Sequence, residues 1–218
     1  FNPRIKNMKI VLADMASDKM VDKDQMAGYG VTMPNGLSFF SRWVMQGKKN
    51  IANIPVLSLA YLASIFSRDG HEVKALDKDS LPQADMFIIA SSIVDYKSEL
   101  EMARKIKTEF PKAKVCFIGP FAGYLAEEYL KVGDIVIRGE PEYLAMKISK
   151  GYMPAGLTDS QPLTNLDELP FPKWDIFKVR DYSYLPIINK KPFLTMQSSR
   201  GCSFGCSYCP YFSYQKNW

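Results

Sequence analysis

The run Asp85-Met86-Phe87-Ile88-Ile89-Ala90 is the strongest constraint on how this chain can fold, because it is apolar at every position from Met86 to Ala90. A strand with one wet face alternates between apolar and polar residues. A run without alternation is buried on both faces, as the inner strands of a parallel sheet are. Further strand-like runs occur at Lys9-Ile10-Val11-Leu12-Ala13, Glu72-Val73-Lys74-Ala75-Leu76, Lys114-Val115-Cys116-Phe117-Ile118 and Asp134-Ile135-Val136-Ile137. Between these runs the period changes to that of a helix. After Pro55, the residues Leu59, Leu62, Ala63 and Phe66 recur at helical spacing, and Gly70 closes the segment. Tyr96, Leu100, Ala103 and Phe110 share a second helical face that stops at Pro111; a third helix is expected around Leu125 to Leu130 and a short one after Pro141. Five strands joined by helices predict an α/β fold, an open five-stranded parallel sheet covered on both faces. Ligands of such sheets bind beyond the carboxyl ends of the strands. Here those ends are Asp14 onward, Ser91-Ser92, Gly119-Pro120 and Arg138-Gly139-Glu140.

This first domain spans residues 1–150 and contains one outsized connection. The stretch 14–54 is about forty residues, against the usual ~2–6 for a strand-to-helix loop. It holds Gly28, Gly30 and Gly36, and an aromatic patch of Phe39, Phe40 and Trp43 expected to form one short helix at the ligand edge. From 151 to 181 the periodicity is lost and Pro154, Pro162, Pro170 and Pro172 accumulate, which reads as a surface linker. Tyr184 to Ile188 and Phe193 to Gln197 are expected to form a hairpin or the first strand of a new domain at 182–218.

Composition narrows the function classes. The 218 residues are 47% hydrophobic and 23% charged, ordinary for a globular protein. No apolar run approaches ~18 residues, so no membrane span is expected. The net charge of +5 comes from Lys and Arg scattered among acids, a solvated surface and not a nucleic-acid footprint. The start, Phe1-Asn2-Pro3-Arg4, has no signal-peptide pattern, and Met8 is the expected first residue of the natural chain.

Chemistry concentrates in Cys202-Ser203-Phe204-Gly205-Cys206-Ser207-Tyr208-Cys209. This C-x3-C-x2-C triplet sets three soft thiolates on one tight loop. A tetrahedral structural zinc wants four ligands, whereas three ligands on a four-iron cluster leave one iron open to a substrate. The fourth cysteine, Cys116, belongs to a buried strand, and His71 is remote in sequence. Three cysteines within eight residues do not make a secreted disulfide scaffold, so a reducing cytoplasm is expected. A zinc knuckle is the plainer alternative for the loop.

The triplet, with Tyr208 before its last cysteine, resembles the signature of the radical S-adenosylmethionine enzymes. Ser198-Ser199-Arg200-Gly201-Cys202 is similar to the form found in the subgroup with an N-terminal cobalamin-binding domain. Four further segments match that subgroup in kind and order: Pro55 to Ala63, Gly70-His71-Glu72-Val73, Arg138-Gly139-Glu140-Pro141-Glu142 and Leu166 to Pro172. The resemblance implies a flavodoxin-like, Rossmann-like cobalamin-binding domain, then the linker, then the truncated start of a radical (β/α) partial TIM barrel. Cys202, Cys206 and Cys209 would hold a 4Fe-4S cluster, with S-adenosylmethionine on its open iron beside Tyr208. One electron from a reductant such as flavodoxin or ferredoxin splits the sulfonium to a deoxyadenosyl radical. In many members cobalamin then carries a methyl group to the substrate carbon. The substrate is an unidentified small or lipid-like molecule. With only Tyr211 to Trp218 beyond the motif, the chain reads as an N-terminal fragment that should not turn over alone.

Cobalamin proteins that ligate the metal through histidine carry D-x-H-x-x-G, which is absent here. Asp69-Gly70-His71 precedes the second strand and has Lys74 at the glycine position, so His71 reads as a polar residue at a strand start. By position, Ser91, Ser92, Gly119, Pro120, Gly139 and Glu140 are the expected cobalamin contacts; each is also explained by simple turn chemistry. Nicotinamide binding fails because no G-x-G-x-x-G follows the first strand. A methylthiotransferase would need more cluster cysteines in the first domain than Cys116 supplies. A non-catalytic cobalamin or nucleotide module with a metal-binding tail is the remaining alternative.

Overall fold

The structure, a computed structural model, describes residues 7–15, 20–24, 26, 28–77, 80–185, 187–188, 190–209 and 214. Residues 1–6, upstream of the start expected at Met8, lie outside the described residues, as does the tail after Cys209 apart from Tyr214.

All five expected strands form: β1 (Lys9–Asp14), β2 (Glu72–Ala75), β3 (Met86–Ala90), β4 (Lys114–Ile118) and β5 (Ile135–Arg138). A sixth, β6 (Gly156–Asp159), joins them inside the stretch expected to be linker. Every pairing is parallel, in the order β2-β1-β3-β4-β5-β6. β6 escapes a sequence reading because it is an edge strand with no apolar run. Its burial alternates between half-buried and exposed, with Leu157 and Asp159 outward.

The helices are α1 (Phe39–Ile51), α2 (Leu57–Arg68), α3 (Tyr96–Glu109), α4 (Ala126–Leu130) and α5 (Glu142–Ile148). Strand alternation sorts the core into two layers. Ile10, Leu12, Met86, Ile88, Ile135 and Ile137 meet α2 and α5 through Leu59, Leu62, Phe66 and Leu144. Val11, Phe87, Ile89, Val115, Phe117 and Val136 meet α3 and α4 through Leu100, Ala103, Ile106 and Tyr129. The apolar spacing of α2 and α3 predicts these contacts, and β3 is buried at all five positions.

His71 is buried beside the α2 and α5 layer, edge-on to Phe66. Its Nδ1 accepts from the Met8 N–H at 3.1 Å, and its Nε2 lies 3.0 Å from the Ser149 carbonyl. With both ring nitrogens engaged on the backbone, it ties β2 to α5, in keeping with a polar residue at a strand start.

The long connection after β1 is ordered by two devices. Met20–Lys23 pairs antiparallel with Gly30–Thr32, and α1 follows, capped by Ser38, whose Oγ accepts from the Ser41 N–H at 3.2 Å. Beyond β6, Ser183–Tyr184 pairs antiparallel with Ala52–Asn53, so the chain returns to the first unit. The expected hairpin reduces to a single bridge, Tyr184 to Ile188, and Phe193–Gln197 forms no strand. Lys190, Lys191 and Pro192 intervene, and proline removes a ladder donor. Among the described residues no helix is long and apolar enough to cross a membrane.

Candidate functional site

Because the sheet is wholly parallel, Asp14, Ser91-Ser92, Gly119-Pro120 and Arg138-Gly139-Glu140 all emerge on one rim, where ligands of open α/β sheets bind. The order of the strands reverses between β1 and β3, and a buried polar network occupies that point. Lys23, from the hairpin, donates to Asp14 Oδ1 at 3.1 Å and to the Met15 carbonyl. Its ammonium lies 3.9 Å from Glu99 Oε1. Burial works against the Lys23 charge, but Asp14 and Glu99 outweigh it and raise its pKa.

Glu99 is itself fully buried at the start of α3. Its Oε1 accepts from the Ser92 N–H and hydroxyl at 2.9 and 2.7 Å, and its Oε2 from Tyr129 Oη at 2.6 Å. Burial pushes its carboxyl up to about 7, against the pull of Lys23 and the hydroxyl donors. Ser92 is therefore committed to Glu99 and to the Asp95 N–H. Ser91, equally buried, donates its N–H to the Ile118 carbonyl at 2.7 Å.

Gly119 and Pro120 are buried as well. A Cβ at Gly119, where φ is +112°, would fall 3.0 Å from the Ser91 carbonyl oxygen, so the turn after β4 requires glycine. The hairpin lies directly on it. A Cβ on Gly28 would meet Pro120 Cγ at 2.7 Å, and Tyr29 stands edge-on to Phe121 at 5.6 Å. Ser91, Ser92 and Gly119, three of the six expected cobalamin contacts, thus sit buried beneath a cover that the sequence left as a loop, while Pro120 touches that cover on one side.

The open part of the rim lies over β4 to β6. Arg138, Gly139, Glu140, Asp159, Ser160 and Pro162 line a cavity of about 340 Å³. Pro120, Gly123 and Tyr124 line a neighbouring one of about 180 Å³ that shares Arg138, Gly139 and Tyr214. Glycine backbone forms much of this cradle: a Cβ on Gly123 would reach Arg138 Cγ at 2.7 Å, and Gly139 has φ +92°. The larger cavity falls at the small end of ligand pockets, and the smaller one, below that range, adjoins it. Pro120, Gly139 and Glu140 are the expected contacts that border this open space.

The cysteine segment crosses the same rim. Arg200, two residues before Cys202, is buried between two carboxylates: Nη1 lies 3.2 Å from Glu140 Oε2, and Nη2 lies 2.9 Å from Glu142 Oε1. Its guanidinium sits over the Tyr61 ring at 5.4 Å. Burial disfavours the Arg200 charge, yet Glu142 and Glu140 hold its pKa above the ordinary value. Burial raises Glu140, with Arg200 opposing. Tyr29 Oη donates to the Tyr208 carbonyl at 2.9 Å, and Thr195 Oγ1 to the Pro55 carbonyl at 3.3 Å. The motifs Arg138-Gly139-Glu140-Pro141-Glu142 and Ser199-Arg200-Gly201-Cys202, far apart in sequence, are therefore one buried ion cluster. Two acids flanking a proline after a buried strand, and an arginine beside a glycine-cysteine pair, were the available signals; nothing in either run says that they meet.

The three thiols are free, Cys202 and Cys206 exposed and Cys209 partly so. The Phe204 N–H points to Cys202 Sγ at 3.5 Å, and the Cys209 N–H bonds the Cys206 carbonyl at 3.1 Å. Cys206 and Cys209 share this turn and Cys202 precedes it; accessible thiols, one of them receiving an amide, are the donor type an iron–sulfur cluster uses. Among the described residues no three His, Cys, Asp or Glu side chains converge into a metal site. Tyr208 projects outward, 82% exposed. Cys116 is fully buried, and burial pushes its thiol far up, so it is inert in β4.

No family model matches the chain. Two curated proteins resemble it at a distance. An uncharacterized methyltransferase of Pyrococcus horikoshii is 28% identical over 192 residues, covering 71% of this chain and 40% of that protein. The hopanoid C-3 methylase of Methylococcus capsulatus is 26% identical over 183 residues, covering 70% of this chain and 35% of that protein. Both names are those of methyl-transferring enzymes, and they support a methyltransferase relationship. The chain spans well under half the length of either relative.

Proposed function

We propose that this chain carries the cofactor-holding portion of a cobalamin-dependent radical S-adenosylmethionine methyltransferase. The observation that supports the reading best is the Arg200 cluster, which ties the cysteine loop to the rim of an α/β sheet in a chain whose relatives are named methyltransferases. Cys202, Cys206 and Cys209 would hold the 4Fe-4S cluster, with S-adenosylmethionine beside Tyr208. Pro120, Gly139 and the glycine-lined cradle over β4 to β6 would receive the tail of cobalamin. When bound, these groups supply reductive cleavage of the sulfonium and a methyl carrier.

The chain's own residues position and enclose. Arg200 fixes where the loop leaves the sheet, because a guanidinium held by two carboxylates has little freedom. Tyr29 fixes its far side through the Tyr208 carbonyl. Glu140 contributes through Arg200, and the buried Lys23 and Glu99 side chains, with solvent-facing Asp14 beside them, join the hairpin to the rim between β1 and β3. The hopanoid methylase is named for a lipid substrate, and a lipid-like substrate is proposed here by that likeness. A flavodoxin or ferredoxin as reductant and a cytoplasmic setting complete the reading.

Anaerobic reconstitution with iron and sulfide tests it. About four irons and four sulfides per chain are expected, lost in Cys206→Ala, together with a spectral shift on adding hydroxocobalamin. One tightly held zinc and no acid-labile sulfide would replace the reading with a metal-binding module.

A further inference from the structure

A second opening in the rim lies at the other end of the sheet, over the tips of β1 and β2. Its volume is about 470 Å³, larger than either part of the cradle and within the range of small-molecule pockets. Four stretches of chain meet in it: the ends of β1 and β2, Asn53, and the segment 176–182. The wall formed by that segment is anchored at several points. Ile176 and Phe177 pack on the α2 and α5 layer, and Trp174 stands edge-on to Phe177 and Tyr182 at 6.1 and 6.4 Å. Asn53 Nδ2 donates to the Asp181 carbonyl at 3.2 Å, and Lys178 Nζ donates to Asp77 Oδ1 at 3.1 Å.

The lining is of two kinds. Leu12, Leu76, Ile176 and Phe177 supply apolar surface, while Asp14, Asp77 and Asp181 supply carboxylates beside the Tyr182 hydroxyl. Burial, and then Asp14 and Asp181, push the Tyr182 phenol up, so it remains a donor. Acceptors therefore outnumber donors, and the occupant must bring donors of its own. A single metal ion does not meet that need, since among the described residues no three acids converge to hold one. The demand is not chiefly for charge either. Lys23 already stands 3.1 Å from Asp14, and Lys178 stands 3.1 Å from Asp77. Each paired carboxylate keeps lone pairs for neutral donors. Adjacent hydroxyls on a ring are such donors, and in dinucleotide-binding sheets an acid after the second strand takes the ribose hydroxyl. Asp77, just past β2, stands at that place. A phosphate is disfavoured, because three carboxylates repel it and no glycine-rich run follows β1 to cradle it.

We propose that this cavity binds a nucleoside without phosphate: Asp77 and its neighbouring carboxylates accept from the ribose diol, and the flat base lies along Leu76 and Phe177. The site shares no residue with the cradle or the cysteine segment, so its outcome is independent of the cluster reading.

Isothermal titration of the iron-free protein with adenosine, guanosine, cytidine and uridine tests the site. At least one should bind saturably, one per chain, and its 5′-monophosphate and 2′,3′-dideoxy analogue should each bind tenfold or more weakly. Asp77→Asn should lose tenfold or more while melting with the parent, because Asp77 and Lys178 form an exposed pair. Cys206→Ala should bind as the parent does. Binding by none of the four overturns the proposal, as does undiminished binding of the dideoxy analogue, of the monophosphate or by Asp77→Asn. Loss of binding in Cys206→Ala would move the nucleoside to the cysteines. Binding of spermidine alone would also overturn the proposal, in favour of a polyamine.

Discussion

The sheet and the cysteine segment meet at one rim, yet they are held by different physics. The sheet is two apolar layers in which Phe87, Phe117 and Tyr129 are fully buried and each strand supports its neighbours. The segment from Thr195 to Cys209 has no secondary-structure ladder and exposes Met196, Phe204 and Tyr208. Its position depends on one arginine between two glutamates and a few hydrogen bonds. A sheet of this kind tolerates the loss of one contact; a loop suspended from a single buried ion cluster does not. The comparison locates where the molecule is sensitive to single substitutions.

Removing the guanidinium should show the largest effect. Arg200→Ala leaves Glu140 and Glu142 buried without a cation, which costs about 3–5 kcal/mol in chemical denaturation. Limited proteolysis between Thr195 and Cys209 should accelerate at the same time. Adding Glu140→Gln and Glu142→Gln to Arg200→Met should recover much of the stability without restoring protection of the loop. Recovery of both would mean that the segment is held by something other than this cluster.

A smaller effect belongs to the sheet side of the rim. Burial raises the Glu99 carboxyl to about 7 from an unfolded value near 4.5. The unfolded chain therefore releases this proton first, and stability falls as pH rises from about 4.5 to 7, by up to roughly 3 kcal/mol. Urea midpoints across that range should decline for the parent and stay flatter for Glu99→Gln. An equal decline in both would assign the slope to other groups.

Below this comes Gly119→Ala. With φ at +112° and the Ser91 carbonyl 3.0 Å from the new Cβ, a loss of about 1–3 kcal/mol is expected, read as a lowered melting temperature. An unchanged melting temperature would mean that the turn after β4 yields easily. Cys116→Ala should change least, about 1 kcal/mol in stability and nothing in iron content. A drop in iron would bring the buried thiol into the cluster's ligand set.

How much the sequence disclosed follows the same division. Unbroken apolar runs such as Met86–Ala90, and the helical spacing of Leu59, Leu62 and Phe66, carry their own burial, so five strands and their helices were readable. The rim could be named too, since parallel strands end together. What was not readable depended on partners distant in the chain. β6 is polar and exists by pairing with β5. Lys23 looks like any surface lysine until the hairpin carries it to Asp14. Arg200 finds Glu140 and Glu142 across about sixty residues. The hairpin expected after Tyr184 failed for the opposite reason: a local apolar pattern had no partner strand to complete it.

A sheet with all strands running one way also has a quiet rim. The turns at Gly70, 111–113, 131–133 and 152–155 lie where strands begin, at the opposite end from the cysteines and the cradle. Lys112 and Tyr152 are solvent-facing there. A fluorophore, an affinity handle or a surface linkage attached at either residue would hold the molecule by its back and leave the chemistry facing away from the support.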